Sequence, residues 1–150
     1  LVNVIAPIMT RSGGGVWAQT IFYPLMQASA FGRGLSLRPI IQCPVYACKQ
    51  YDAVPFVDAA AALQEDGSLT IFAVNRSMNE DILLEADLRA FGPLRVKEHS
   101  VLHHDDVKAV NTEAAPNTVV PKTGDPGAMD GGKLSIALPA LSWNVIRLEK

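Results

Sequence analysis

The sequence predicts a mainly β fold: an antiparallel β-sandwich of jelly-roll type, preceded by one strand–loop–helix unit. From Leu35 onward, about eight short strand-like segments with Pro and Gly turns follow one another over roughly 115 residues, the pattern of a sandwich or jelly roll. Ahead of them, residues 1–10 form a nearly unbroken apolar run, followed by Gly13, Gly14 and Gly15 and a helix-like segment. Charge divides the chain in the same region. Arg11, Arg33, Arg38 and Lys49 precede every acidic side chain, and all 15 Asp and Glu lie from Asp52 onward.

Residues 1–10 have the composition of a strand buried on both faces, as in a parallel sheet. No other segment of the chain supplies such a sheet, so the chain reads as the tail of a larger protein. Residues 10–19 read as a loop, with three glycines permitting unusual backbone angles. A helix over 20–31 places Ile21, Leu25 and Ala28 on one face, with Pro24 tolerated near its first turn. Gly32 and Gly34 supply the stop. Strand–loop–helix is half of a βα repeat, and the glycine loop lies at the strand's C-terminal end, where α/β barrels carry their chemistry.

The remainder is strand-rich. Residues 35–46 form a long extended candidate that Pro39 and Pro44 turn into an edge or a bend. Residues 54–63 are apolar and alanine-rich, compatible with a strand or a short helix. The turn Glu65-Asp66-Gly67-Ser68 leads into a strand over 69–74. Ile82, Leu84, Ala86 and Leu88 alternate with polar residues, leaving Leu83 on the outer face. Gly92-Pro93 breaks the chain before a period-two segment at 94–103. Residues 111–132 form a long excursion with a short strand at 118–120. Leu134, Ile136 and Leu138 alternate again, and residues 143–148 close the chain.

A chain of 150 residues with 49% hydrophobic and 19% charged residues can bury the core of one ordinary domain. The net charge of −2 leaves no basic footprint for nucleic acid. No apolar stretch reaches the roughly 18–20 residues of a membrane span. Cys43 and Cys48 are an odd number of residues apart and would face opposite sides of a strand, so reduced thiols are expected.

The clustered His99, His103, His104, Asp105 and Asp106 have metal-ligand side chains. On a strand, however, His103 and His104 point to opposite faces, and a solvated strand end is the better reading. Asn75-Arg76-Ser77 matches a glycosylation sequon, but a turn role for Asn75 is favoured. Ser12 and its glycines show neither a nucleophile elbow nor a Walker pattern. Trp17 and Gln19 follow the C-terminal end of the first strand. There an indole can stack on a sugar face, and an amide can donate to and accept from hydroxyls. The competing reading has Trp17 packing under the helix and Gln19 capping it.

The segments Val2-Asn3-Val4-Ile5-Ala6-Pro7-Ile8 and Trp17-Ala18-Gln19-Thr20-Ile21-Phe22-Tyr23-Pro24 resemble the end of the barrel in α-L-arabinofuranosidases of glycoside hydrolase family 51. The resemblance continues in matching order through Phe72-Ala73-Val74-Asn75-Arg76, Asn117-Thr118-Val119-Val120-Pro121 and Ser142-Trp143-Asn144-Val145-Ile146-Arg147-Leu148. It implies a (β/α)8 catalytic barrel whose last βα unit is residues 1–33, followed by a C-terminal β-sandwich at 34–150. It also implies removal of terminal α-L-arabinofuranosyl groups from arabinan, arabinoxylan or their oligosaccharides, with retention of configuration by a Glu pair on earlier barrel strands. No Glu precedes Glu65 here, so no catalytic residue is assigned and the chain alone is expected to be inactive.

By the same resemblance, Gln19 matches a glutamine that hydrogen-bonds the arabinofuranosyl group, and Trp17 matches the neighbouring aromatic. Ala18 stands where many relatives have Arg. The partners implied are an arabinose-containing oligo- or polysaccharide and the remainder of the barrel. Relatives often form hexamers, so a homo-oligomer is expected. Neither a metal nor a cofactor is implied, nor a nucleic-acid or membrane partner, and the location expected is cytoplasmic. Two alternatives stand beside this reading: a carbohydrate-binding β-sandwich module, or the C-terminal domain of a related barrel-plus-sandwich hydrolase.

Overall fold

The computed structural model describes residues 6–150. In chain order the elements begin with β1 (Ile8–Thr10), β2 (Val16–Ala18), α1 (Phe22–Phe31), β3 (Leu35–Leu37), β4 (Val45–Tyr46) and β5 (Val54–Pro55). They continue with β6 (Val57–Leu63), β7 (Leu69–Asn75), β8 (Ile82–Asp87) and β9 (Arg95–Leu102). The last four are β10 (Lys122–Thr123), β11 (Ala128–Asp130), β12 (Lys133–Leu138) and β13 (Ser142–Glu149). One antiparallel sheet has the order β10-β9-β13-β7-β6-β3, and a smaller one the order β11-β12-β8.

The two sheets face each other as a sandwich. Leu69, Ile71 and Ala73 of β7 and Ile146 and Leu148 of β13 share one core with Leu134, Ile136 and Leu138 of β12. Period two decides this assignment, because alternate residues of a strand point to one face. On β8 the same rule leaves Leu83 exposed while Ile82, Leu84 and Ala86 pack on the core.

Helix α1 covers the opposite face of the larger sheet. Gln27 is buried there and donates from Nε2 to Ser100 Oγ at 2.9 Å, while its Oε1 accepts the Trp143 indole N–H at 2.9 Å. Phe72 stacks on Trp143 with ring centroids 5.8 Å apart. The Arg147 guanidinium lies 4.3 Å from the Phe31 ring centroid, a cation–π contact. Gly34, at φ +110°, connects helix to sheet where a Cβ would meet the Leu63 carbonyl at 2.3 Å.

Several sequence expectations are corrected here. Residues 1–5 of the predicted first strand lie outside the described residues. The described part, β1, pairs antiparallel with β2, so residues 10–19 are the turn and second strand of a hairpin and not one loop. Both-face burial belongs instead to β7 in an antiparallel sheet, because α1 covers the side that the small sheet does not. The helix buries Gln27 and leaves Ile21, Leu25 and Ala28 exposed, since the sheet offers polar partners at Ser100 and Trp143.

The long candidate at 35–46 is strand only at β3 and β4, with Pro39 and Pro44 in the irregular stretch between them. Residues 54–63 resolve into β5 and β6. The strand expected at 118–120 does not form. Asn111, 1% exposed, accepts from Val119 N and donates to Val119 O, and so occupies the backbone groups a strand partner would use.

Asn75 fills the turn role expected of it. Its Nδ2 lies within 3.0 Å of the carbonyls of Glu80, Leu138 and Pro139, and its Oδ1 accepts from Ser77 N. At 2% exposure its amide is closed to a glycosylating enzyme in the folded chain. Asn75→Ala leaves buried carbonyls unpaired and is expected to lower stability by about 2–3 kcal/mol. Urea denaturation checks this, and a loss below about 0.5 kcal/mol contradicts it.

Candidate functional site

The hairpin of β1 and β2 carries the two residues that sequence reasoning nominated. Trp17 lies opposite Met9 in the ladder. Its indole Nε1 is buried and has no hydrogen-bond acceptor among the described residues. A buried N–H without a partner costs about 1–3 kcal/mol, so this group calls for an acceptor from outside the described residues. The Gln19 backbone ties hairpin to helix: its N–H donates to Pro7 O at 2.8 Å and its carbonyl accepts from Phe22 N at 3.0 Å. The helix N-cap position is Ile21, which has no side-chain cap. Gln19 is half-buried, and no hydrogen bond of its side chain is found among the described residues. One short segment thus presents an indole N–H and an amide, groups that can meet a polyhydroxylated ligand.

A loop of the sandwich holds this segment. Glu113 Oε1 accepts from Gly15 N at 2.9 Å and pairs with Arg11 Nη2 at 3.2 Å. Asn111 Nδ2 donates to Ala18 O at 3.0 Å. Sequence reasoning missed both residues. Two signals were available: an excursion longer than about 15 residues is uncommon unless functional, and an N-terminal third that holds Arg11 but no acidic residue must draw any carboxylate partner from later in the chain.

The other candidates are engaged elsewhere. His99 is buried on β9, with Nδ1 2.6 Å from Asp125 O and Nε2 3.0 Å from Asn144 Oδ1. His103 Nε2 meets Asp105 Oδ1 at 3.1 Å, and His104 Nδ1 accepts from Asp106 N at 3.0 Å, so these residues terminate a strand. Among the described residues, no three His, Cys, Asp or Glu side chains converge as a metal site. Cys43 and Cys48 are free thiols.

Carboxyls with lowered pKa values lie on the sandwich surface. Asp87 is held at about 2, mainly by the Arg89 side chain donating to it. Glu149 is lowered chiefly by a hydrogen bond from Lys97, and Asp66 by one from Ser68. Beyond α1, Tyr46 packs on Phe56 at 4.8 Å and Phe72 on Trp143, pairings that use these rings for packing and do not array them for sugar binding.

A family model described as the α-L-arabinofuranosidase C-terminal domain matches residues 1–142. The chain belongs to this family. It is 48% identical over 151 residues to an intracellular exo-α-(1→5)-L-arabinofuranosidase of Halalkalibacterium halodurans, covering 100% of this chain and 30% of that protein. An exo-α-(1→6)-L-arabinofuranosidase of Bifidobacterium longum is 37% identical over 152 residues, covering 99% of this chain and 29% of its own length. Among solved structures, a family 51 α-L-arabinofuranosidase from Bifidobacterium longum superposes with a TM-score of 0.90 at 38% identity, over 99% of this chain and 29% of that one. The chain therefore spans about 30% of the length of the curated relatives it matches. Its mainly β, antiparallel sandwich is the fold the sequence predicted. No helix of the described residues is long and apolar enough to cross a membrane.

Anchoring of α1 sets where the hairpin sits, because Gln19 and Phe22 are hydrogen-bonded neighbours. Gln27→Leu orphans the Trp143 indole N–H and the Ser100 hydroxyl and is expected to lower stability by about 1–3 kcal/mol. Adding Trp143→Phe removes the orphaned indole donor and should recover part of that loss. Thermal unfolding of the two variants checks both expectations.

Proposed function

We propose that this chain is the C-terminal portion of a retaining α-L-arabinofuranosidase that removes terminal α-L-arabinofuranosyl groups from arabinan, arabinoxylan or arabino-oligosaccharides. The observation that carries the reading is identity of 45–48% to three intracellular exo-α-(1→5)-L-arabinofuranosidases across 100% of the chain. In this reading residues 1–33 end the catalytic barrel and 34–150 form the attached sandwich. The exposed apolar Ile8, Val16, Ile21 and Leu25 support it, since they offer the rest of a barrel a surface to bury.

Retaining hydrolysis uses one carboxyl as acid/base and a second as nucleophile, about 5 Å apart. No Glu lies in residues 1–33, so both groups come from barrel strands upstream. What this chain adds to the site is its rim. The Gln19 amide donates to and accepts from hydroxyls of the arabinofuranosyl ring, and Trp17 borders the ring with an indole N–H that has no acceptor among the described residues. The sandwich covers the barrel flank and contributes to contacts in a homo-oligomer, such as a hexamer, located in the cytoplasm.

In the full-length enzyme, Gln19→Ala is expected to lower kcat/KM on an arabinofuranoside by roughly one to two orders of magnitude, because a buried sugar hydroxyl loses its partner. Unchanged steady-state kinetics would make Gln19 a structural residue. The chain by itself is expected to release no nitrophenol from p-nitrophenyl α-L-arabinofuranoside, and turnover by the chain alone would place the chemistry within it.

A further inference from the structure

We propose that Glu113 and Asn111, on the loop between β9 and β10, are positioning residues for the sugar-binding rim at Trp17 and Gln19. The proposal rests on the reading of that rim given above. Strand β2 is only three residues long, and the sandwich loop grips it at both ends. At its start, Glu113 Oε1 accepts from Gly15 N at 2.9 Å. At its end, Asn111 Nδ2 donates to Ala18 O at 3.0 Å. Trp17 lies between these two bonds, and Gln19 follows the second directly.

The grip is built into both partners. A Cβ at Gly15 would lie 3.3 Å from Glu113 Cγ and Oε1, so the bare glycine lets the carboxylate sit at hydrogen-bond distance from its N–H without shifting. The same carboxylate takes Arg11 as a second donor, which joins both arms of the hairpin to one acceptor. Asn111 is locked in turn by its two bonds to Val119. The paired hairpin therefore moves with the sandwich loop. A rim displaced by about 1 Å can cost up to a hundredfold in rate, so the loop sets activity without touching substrate.

The test compares Glu113→Ala and Glu113→Gln in the full-length enzyme, since Glu113 is partly exposed and its loss spares the core. Kinetics on p-nitrophenyl α-L-arabinofuranoside are read together with amide hydrogen exchange across residues 8–19. Glu113→Ala is expected to speed exchange in the hairpin and lower kcat/KM roughly tenfold. Glu113→Gln keeps an acceptor for Gly15 N–H and should restore most of the activity. In a Gln19→Ala background the Glu113→Ala loss should shrink, because it acts through the same rim.

Unchanged hairpin exchange in Glu113→Ala overturns the proposal. So does faster exchange with wild-type kcat/KM, or a loss that persists in full in the Gln19→Ala background. The Gln19→Ala variant alone separates the two readings. If it is impaired while Glu113→Ala is not, only the positioning role fails; if neither is impaired, the rim itself has been misassigned and the positioning role falls with it.

Discussion

Burial of a glutamine on the second face of an antiparallel sheet is the constraint on which the arrangement depends. Gln27 offers one acceptor and one donor, and the sheet supplies the complement in Trp143 Nε1 and Ser100 Oγ. An unpaired amide in that position would cost more than its packing returns. The pairing therefore selects one rotation of α1 about its axis. That rotation places Phe31 under Arg147 and turns Leu25 and Met26 outward. With the helix seated, β7 and β13 are enclosed by a sheet on one side and a helix on the other, and Leu69, Ile71, Phe72, Val145, Ile146 and Leu148 leave water.

Polar side chains do comparable work where strands run out. Asn75 closes the end of the sandwich by donating to carbonyls from two other segments. Asn144 lies between His99 and Ser142 within the same buried layer. Asn111 replaces a strand for Val119 and reaches across to Ala18. Asn75 and Asn111 serve backbone groups that irregular chain would otherwise bury unpaired. This is how a long excursion rich in Asn, Pro and Gly becomes a fixed support for the hairpin beside it.

Legibility in the sequence followed the range of the interaction. Strands β8 and β12 were readable because a single core face imposes strict alternation on Ile82 to Asp87 and Lys133 to Leu138. The hairpin was not. Three consecutive glycines suit a loop and a tight turn equally well, and only the Met9–Trp17 pairing separates the two. The face of α1 was misread for a related reason. Apolar spacing singled out Ile21, Leu25 and Ala28, whereas the sheet selected Gln27 by hydrogen bonding. On the hairpin, Trp17 and Gln19 were nominated from residue type and position, while Asn111 and Glu113, which hold it, showed no local pattern.

By itself the sequence determined the class of fold, the order of the main strands, the turn at Asn75 and the family to which the chain belongs. These rest on alternation, turn chemistry and residue identity, which act over a few neighbours or over a whole motif. The tertiary structure alone decided which face of the helix is buried, that Asn111 stands in for a strand, and that Glu113 grips the glycine turn. Those contacts join residues 73 apart at Gln27–Ser100, 98 apart at Gly15–Glu113 and 116 apart at Gln27–Trp143. A hydrogen bond between such distant groups leaves no period in the chain, because its geometry exists only once both sheets and the helix are in place.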